Sequence, residues 1–190
     1  MLLSLYLSDI IRLFETTVGT QPDMLEYVTS RAAAWDCPVS IQVNLNRFDE
    51  HPRSSDNLEV FRRWEKVRAQ NWLTKEQKNA LQNLEQEHIM LLNEQNEFEL
   101  QPYEQIEDVA NGSKEIRAFI FQRNGDLYVV YWHISGNMKL ELPFNKSDVK
   151  LLEKLGVEEI INSDQDNPIT VPVGNRRYIK TRTMTKHELL

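Results

Sequence analysis

The stretch KEIRAFIFQRNGDLYVVYWHISGNMKLELP, residues 114–143, decides the fold that this sequence predicts. Its apolar, β-branched and aromatic side chains fall into three short segments of the kind that suits half-buried strands. Asn124-Gly125 predicts a tight hairpin between the first two segments, because both residues of such a turn favour positive φ. Ser135-Gly136-Asn137 predicts the second turn, so we expect three consecutive antiparallel strands without a catalytic motif. The three segments are residues 116–122, 127–134 and 138–142.

The rest of the second half continues this β pattern. Residues 89–92 and 98–100 predict a hairpin around a turn at residues 93–96. Many short strands with turn signals between them are typical of a β-sandwich. We therefore predict an antiparallel β-sandwich domain over residues 85–190. Its other predicted strands are residues 149–152, 160–161, 169–173 and 178–181.

The first half has a different pattern. Residues 10–14 form an apolar run and residues 39–45 alternate apolar with polar side chains, so both segments are predicted strands. Apolar residues at helical spacing follow each of them, over residues 22–35 and 56–70. The pair Thr74 and Gln77 matches a capping box and predicts a further short helix to about residue 84.

The order strand, helix, strand, helix predicts two successive β/α units in a domain of residues 1–84. Two such units cannot close a sheet or cover both of its faces. We expect Trp35 and Trp64 to pack in the core, because both lie on the apolar side of their predicted helices. The predicted fold class is α+β.

Composition excludes several classes of function. The net charge of −7 and the pI near 5.2 argue against a nucleic-acid partner, which needs a basic surface. The chain has one cysteine, Cys37, and neither a Cys/His cluster nor a Gly-rich phosphate loop, so we expect no metal and no cofactor.

The apolar N-terminal segment, residues 1–14, lacks the basic region and cleavage site of a signal peptide, and it is too short to span a membrane. We expect no membrane partner and leave the cellular compartment open. We interpret the segment as folded structure or as the arbitrary start of a truncated reading frame.

Four phrases resemble the C-terminal portion of TIM-barrel glycoside hydrolases that carry an appended β-sandwich. They are ETTVGTQPDMLEYVTSRAAAWDCPVSIQ at residues 15–42, HPRSSDNLEVFRRWEKVR at residues 51–68, YVVYWHISGNMKLELP and TVPVGNRRYI. The resemblance implies that residues 1–84 are the last two β/α units of an eight-fold barrel. Because a complete barrel needs about 250 residues, it also implies a fragment, a degenerate gene product or a chain that needs a partner.

Glu15 is the catalytic residue that this resemblance implies. In retaining glycosidases of this type the nucleophilic carboxylate lies at the end of the seventh strand, and Glu15 follows the predicted strand at residues 10–14. The chemistry needs a second carboxyl group about 5 Å away as acid and base, which the resemblance places on an earlier strand. The alternative is an ordinary loop carboxylate.

Four further residues are candidates for carbohydrate binding. Asn44 and His51 follow the predicted strand at residues 39–45, on what would be the active-site face of a barrel. Tyr131 and His133 alternate along one face of a predicted strand, where an aromatic platform would stack on a sugar ring. A histidine before a proline is also a common turn element, and strand aromatics commonly pack in a core.

Two functions remain open at this point. The first is the C-terminal fragment of a carbohydrate-active hydrolase that is catalytically incomplete alone. The second is a non-catalytic carbohydrate- or protein-binding β-sandwich module. Under the first hypothesis the N-terminal segment is an orphaned barrel surface, so the chain should self-associate through it.

Overall fold

The computed structural model of the protein describes residues 19–41, 45–107, 109 and 113–182, without the side chains of residues 45–47. The described residues include four helices: α1 (Pro22–Ala34), α2 (Leu45–Glu50), α3 (Ser54–Ala69) and α4 (Lys75–Leu81). They also include nine strands: β1 (Glu87–Leu92), β2 (Phe98–Gln105), β3 (Ile116–Arg123), β4 (Asp126–His133), β5 (Met138–Leu142), β6 (Val149–Lys154), β7 (Val157–Glu159), β8 (Ile169–Val173) and β9 (Arg177–Thr181). None of the described helices is long and apolar enough to cross a membrane.

The chain divides into two compact units. Unit 1 comprises Met1–Leu91 and Phe98–Pro102, and unit 2 comprises Leu92–Glu97 and Tyr103–Leu190. The hairpin of β1 and β2 therefore contributes residues to both units.

Unit 1 has a helical core. Pro22 occupies the first turn of α1, where its missing N–H leaves no hydrogen bond unmade. Thr74 and Gln77 form the predicted capping box at the start of α4. The apolar faces of the helices meet around Trp64, which is fully buried. The other buried members of this cluster are Leu25, Ala33, Ala34, Val60, Val67, Leu73, Leu81 and Met90.

The predicted fold class, two terminal β/α units of a TIM-type barrel followed by an antiparallel β-sandwich, is wrong. The described residues between 19 and 84 contain helices and no strand. The chain instead combines these helices with an antiparallel sheet of seven strands and a separate sheet of two. The apolar faces of the helices are buried by packing on one another, so unit 1 needs no parallel sheet beneath them.

The predicted strand at residues 39–45 shows why the barrel interpretation fails. Residues 39–41 have no regular structure, and Leu45 begins α2. The Val39 N–H donates to Oε1 of Glu65 at 3.3 Å, and Ile41 packs against the helical core. A backbone N–H and an apolar side chain of this segment thus find partners in the helices, without the neighbouring strand that a β-ladder requires. The predicted strand at residues 10–14 lies outside the described residues.

Unit 2 is built around β4, every residue of which is buried. The seven strands are ordered β1-β2-β3-β4-β9-β6-β7, and β5 pairs only with β8. One face of the large sheet and the β5–β8 pair bury a common apolar core. Its most buried members are Ile169, Val171, Val173 and Leu151.

The three predicted strands of residues 114–143 are present, but they do not form one meander. The first two pair in register around Asn124-Gly125, and both turn residues have positive φ as predicted. After β4 the chain leaves the sheet, and β5 pairs with β8 instead of β4. The predicted strand at residues 160–161 is also displaced, because β7 ends at Glu159.

Candidate functional site

A polar cleft of about 530 Å³ lies in unit 2. Tyr128, Leu152 and Thr181 contribute buried side chains to it. Three carboxylates and three cations complete most of its lining, so its formal charges balance. These charged residues are Glu94, Asp148, Lys150, Glu158, Lys180 and Arg182.

Strand pairing brings the cleft residues together. Tyr128 in β4 is paired with Lys180 in β9, and Lys180 is paired with Lys150 in β6. Paired residues of neighbouring strands point to the same face of a sheet. This row therefore lies on the face opposite the apolar core, because Leu151 and Ile179, the next residues along β6 and β9, are core residues.

Asp126 forms ion pairs with two cations of the cleft, Lys180 and Arg182. Its Oδ2 lies 2.7 Å from Nζ of Lys180, and its Oδ1 accepts a hydrogen bond from Nε of Arg182 at 2.9 Å. The hydrogen bond from Lys180 lowers the pKa of Asp126, and the same bond raises the pKa of Lys180. Both groups therefore stay charged across the ordinary pH range.

Glu94 forms a second fixed ion pair. Arg123 donates from Nη1 to Oε1 at 2.9 Å and from Nη2 to Oε2 at 2.7 Å, which is the paired geometry that a guanidinium and a carboxylate prefer. The hydrogen bond from Arg123 lowers the pKa of Glu94. Gly156 has a φ of +83° and lies against Glu94, where a Cβ would come within 2.6 Å of Glu94 Cγ. Glycine at this position lets the carboxylate approach the turn.

The remaining charged side chains are also held in place. Lys150 donates from Nζ to Oε2 of Glu158 at 2.8 Å. Asp148 accepts hydrogen bonds from Nδ2 of Asn145 at 2.6 Å and from the hydroxyl of Ser147 at 3.1 Å. The cleft thus presents both donors and acceptors, and each of its charged side chains has at least one partner.

The Tyr128 ring is a wall of the cleft rather than an open platform. It stacks on Phe121 with the ring centres 5.4 Å apart, and Nζ of Lys180 lies 5.5 Å from its centre. Both contacts restrict the ring faces, so Tyr128 contributes mainly its edge and hydroxyl to the cleft.

The cleft contains none of the sequence-predicted site residues that the structure describes. Glu15 and Asn44 lie outside the described residues. His51 is a turn element of unit 1: its Nδ1 accepts the N–H of Arg53 at 3.1 Å, and its ring lies against Gly19.

Tyr131 and His133 share a face of β4, as predicted from their spacing, but neither offers an open ring. Tyr131 is 2% exposed, its hydroxyl donates to the Pro172 carbonyl at 3.2 Å, and burial raises its pKa. Nδ1 of the buried His133 accepts the N–H groups of Ser135 and Gly136, which shapes the turn after β4.

The sequence contained only part of the signal for the cleft. Lys150 and Lys180 each interrupt an apolar strand, which predicts an outward-facing side chain. That pattern cannot show that β6 pairs with β9, because the two strands are far apart in the chain and separated by two others. Without this pairing the two lysines cannot be assigned to one site.

The described residues provide no other centre of reactive side chains. They include no group of three or more His, Cys, Asp or Glu residues suited to hold a metal ion. Cys37 is a free thiol whose Sγ lies 3.6 Å from the carbonyl oxygen of Trp35.

Comparison with known proteins adds no relative: no family model matches the sequence, and no curated protein matches it significantly. The resemblance to glycoside hydrolases and the expected self-association through the N-terminal segment therefore stay predictions.

Proposed function

We propose that unit 2 is a non-catalytic carbohydrate-binding module whose cleft takes an uncharged, hydroxyl-rich sugar. The observation that carries this proposal is the balanced set of paired donors and acceptors around the cleft, three carboxylates and three cations. A sugar hydroxyl both donates and accepts, so it can bond to either kind of group.

The pairing of the charges favours an uncharged ligand. Lys180 and Arg182 already share Asp126, and Lys150 bonds to Glu158. An acidic sugar would bring a second anion close to these carboxylates, and a basic sugar would meet the lysines. A neutral sugar avoids both repulsions and leaves the ion pairs intact.

The cleft carboxylate with a resolved pKa shift is unsuited to acid catalysis. A glycosidase acid needs a raised pKa so that it carries a proton near neutral pH. The hydrogen bond from Arg123 lowers the pKa of Glu94 instead. This supports binding without hydrolysis.

Saturation-transfer NMR on the full chain tests the proposal with a panel of neutral mono- and oligosaccharides, and with uronic acids and amino sugars as charged comparators. We expect signals from a subset of the neutral sugars and no release of reducing ends on prolonged incubation. Lys150→Met should weaken the binding of a neutral hit about tenfold, because it removes a charged donor. Lys139→Met is the matched control, since Lys139 is an exposed lysine on β5 outside the cleft. A panel without any binder, or equal loss in both variants, would contradict the proposal.

A further inference from the structure

The outer strand β7 is a second feature of unit 2 that points to a ligand. It is the last strand of the seven-stranded sheet, and within the part of the chain that the structure describes it pairs with β6 alone. Among the described residues, no backbone hydrogen bond joins residues 157–160 to any other element. The outer edge of β7 is therefore a row of backbone donors and acceptors available for pairing.

The side chains at this edge are unusually apolar for a solvent-facing strand. Val157 is 38% exposed, and Ile160, directly after the strand, is 78% exposed. Glu158 and Glu159 lie between them, so the order of residues along the edge is apolar, acidic, acidic, apolar. Exposed branched side chains beside an open strand edge favour the addition of another strand.

The two glutamates determine which kind of partner strand can pair with β7. Lys150 donates to Oε2 of Glu158 at 2.8 Å, and Arg177 donates to Oε2 of Glu159 at 2.8 Å. Among the described residues no donor bonds to either Oε1, so each carboxylate retains acceptor capacity toward a partner.

A second copy of this chain fits poorly. If two β7 edges met antiparallel, directly opposite residues would share a face, so a register centred on Glu158 or on Glu159 would place that glutamate opposite its own copy, and like charges directly across strands are destabilising. A segment with lysine or arginine at those positions would gain ion pairs where a second copy gains repulsion. The net charge of −7 adds a general attraction toward basic segments.

We infer that the edge of β7 binds an extended basic segment of a partner protein by strand addition. The backbone of the segment pairs with β7, its apolar side chains cover Val157 and Ile160, and its basic side chains bond to the two glutamates. This site shares Glu158 with the proposed sugar cleft, but Val157, Glu159 and Ile160 do not line the cleft.

Fluorescence anisotropy on the full chain tests this inference with two labelled seven-residue peptides. Each has two adjacent charged residues flanked by valines, lysines in one peptide and glutamates in the other. We expect the lysine peptide to bind, its affinity to fall as salt is raised, and the glutamate peptide not to bind. Equal binding of both peptides, or of neither, would overturn the inference.

Three variants locate the binding. Ile160→Ser should weaken the binding of the lysine peptide about tenfold, because it removes an apolar contact. The double variant Glu158→Gln, Glu159→Gln should reduce the salt dependence of that binding. Met138→Ser is the control, because Met138 is another exposed apolar residue and lies on β5 rather than on this edge. An unchanged affinity in Ile160→Ser would overturn the inference. So would light scattering that shows a wild-type dimer dissociated by Ile160→Ser, because a second copy would then occupy the edge.

Discussion

The two units differ in how they hold their charged side chains. In unit 1, Glu26 is only 1% exposed and accepts hydrogen bonds from Nε1 of Trp64 at 2.5 Å and from the Met90 N–H at 3.1 Å. In unit 2, Lys150 and Glu158 of the cleft pair with each other and are each 59% exposed, and Lys180 and Arg182 pair with Asp126. The first arrangement joins two helices and a strand, whereas the second leaves polar groups facing a ligand.

This difference separates a structural role from a binding role. A buried carboxylate that loses a donor keeps its desolvation penalty, whereas a solvent-exposed ion pair that loses one partner is partly compensated by water. We therefore expect substitutions around Glu26 to act mainly on stability, and substitutions in the cleft to act mainly on binding. The predictions below test that division.

The largest effect should come from Trp64→Phe. This change keeps a large aromatic ring in the core of unit 1 but removes the donor to Glu26. We expect a loss of about 3 kcal/mol in the free energy of unfolding, measured by urea denaturation. Trp72→Phe is the matched control, because Trp72 is only partly buried and meets Phe98 edge to face. Equal losses in the two variants would show that ring packing matters more than the hydrogen bond.

A smaller effect should follow Arg123→Met in unit 2. The change removes both hydrogen bonds to Glu94 but leaves that carboxylate open to water on one side. We expect a loss of about 1 kcal/mol, measured in the same way at low salt. The loss should shrink as salt is raised, because salt screens exposed ion pairs. A loss as large as that of Trp64→Phe would contradict the proposed division.

His88 should give unit 1 a modest dependence on pH. Burial lowers the pKa of this histidine below its ordinary value of 6.5, and nearby Arg31 lowers it further. The unfolded chain then binds a proton more readily than the folded chain, so stability should fall as pH drops below about 6.5. Thermal melts between pH 7.5 and pH 5 check this, and His88→Phe should remove part of the dependence. An equal slope in that variant would assign the effect to other groups.

The smallest effect should come from Glu59→Gln on the surface of α3. Burial raises the pKa of Glu59, but hydrogen bonds from Arg62 and Arg63 outweigh burial and lower it to about 2. The resulting stability is present above about pH 4.5 and is lost as pH falls toward 2. Because these groups are partly exposed, we expect no more than about 0.5 kcal/mol at neutral pH. Acid titration of unfolding in both proteins measures the difference, and a loss above about 1 kcal/mol would contradict it.

Local patterns predicted much of the secondary structure. The Asn124-Gly125 hairpin and the capping box of Thr74 and Gln77 were predictable because each depends on residues close together in the chain. The start of α3 was less predictable: the apolar spacing predicted a helix from residue 56, but the helix begins at Ser54 and Asp56 lies in its first turn.

The parts that failed depend on long-range packing. Trp35 and Trp64 occupy similar helical positions, yet Trp64 is fully buried and Trp35 is 66% exposed, because Trp35 lies at the end of α1 beyond the helical core. Residues 39–41 belong to the alternating pattern that predicted a strand, but they have no regular structure, and Ile41 packs against the helical core instead. The cleft required knowledge of which strands pair, which no local pattern contains.

Mapping of the binding site by NMR chemical shifts tests the central claim most directly. The ¹⁵N-labelled full chain would be titrated with a neutral sugar from the panel. The account predicts that the largest shifts fall on residues 147–150 and on the backbone around Tyr128, Lys180 and Arg182. It also predicts that Lys150→Met, but not Lys139→Met, needs about ten times more sugar to reach the same shifts. Shifts confined to the helices of unit 1, or saturable binding that leaves these residues unmoved, would contradict the assignment of the cleft as the sugar site.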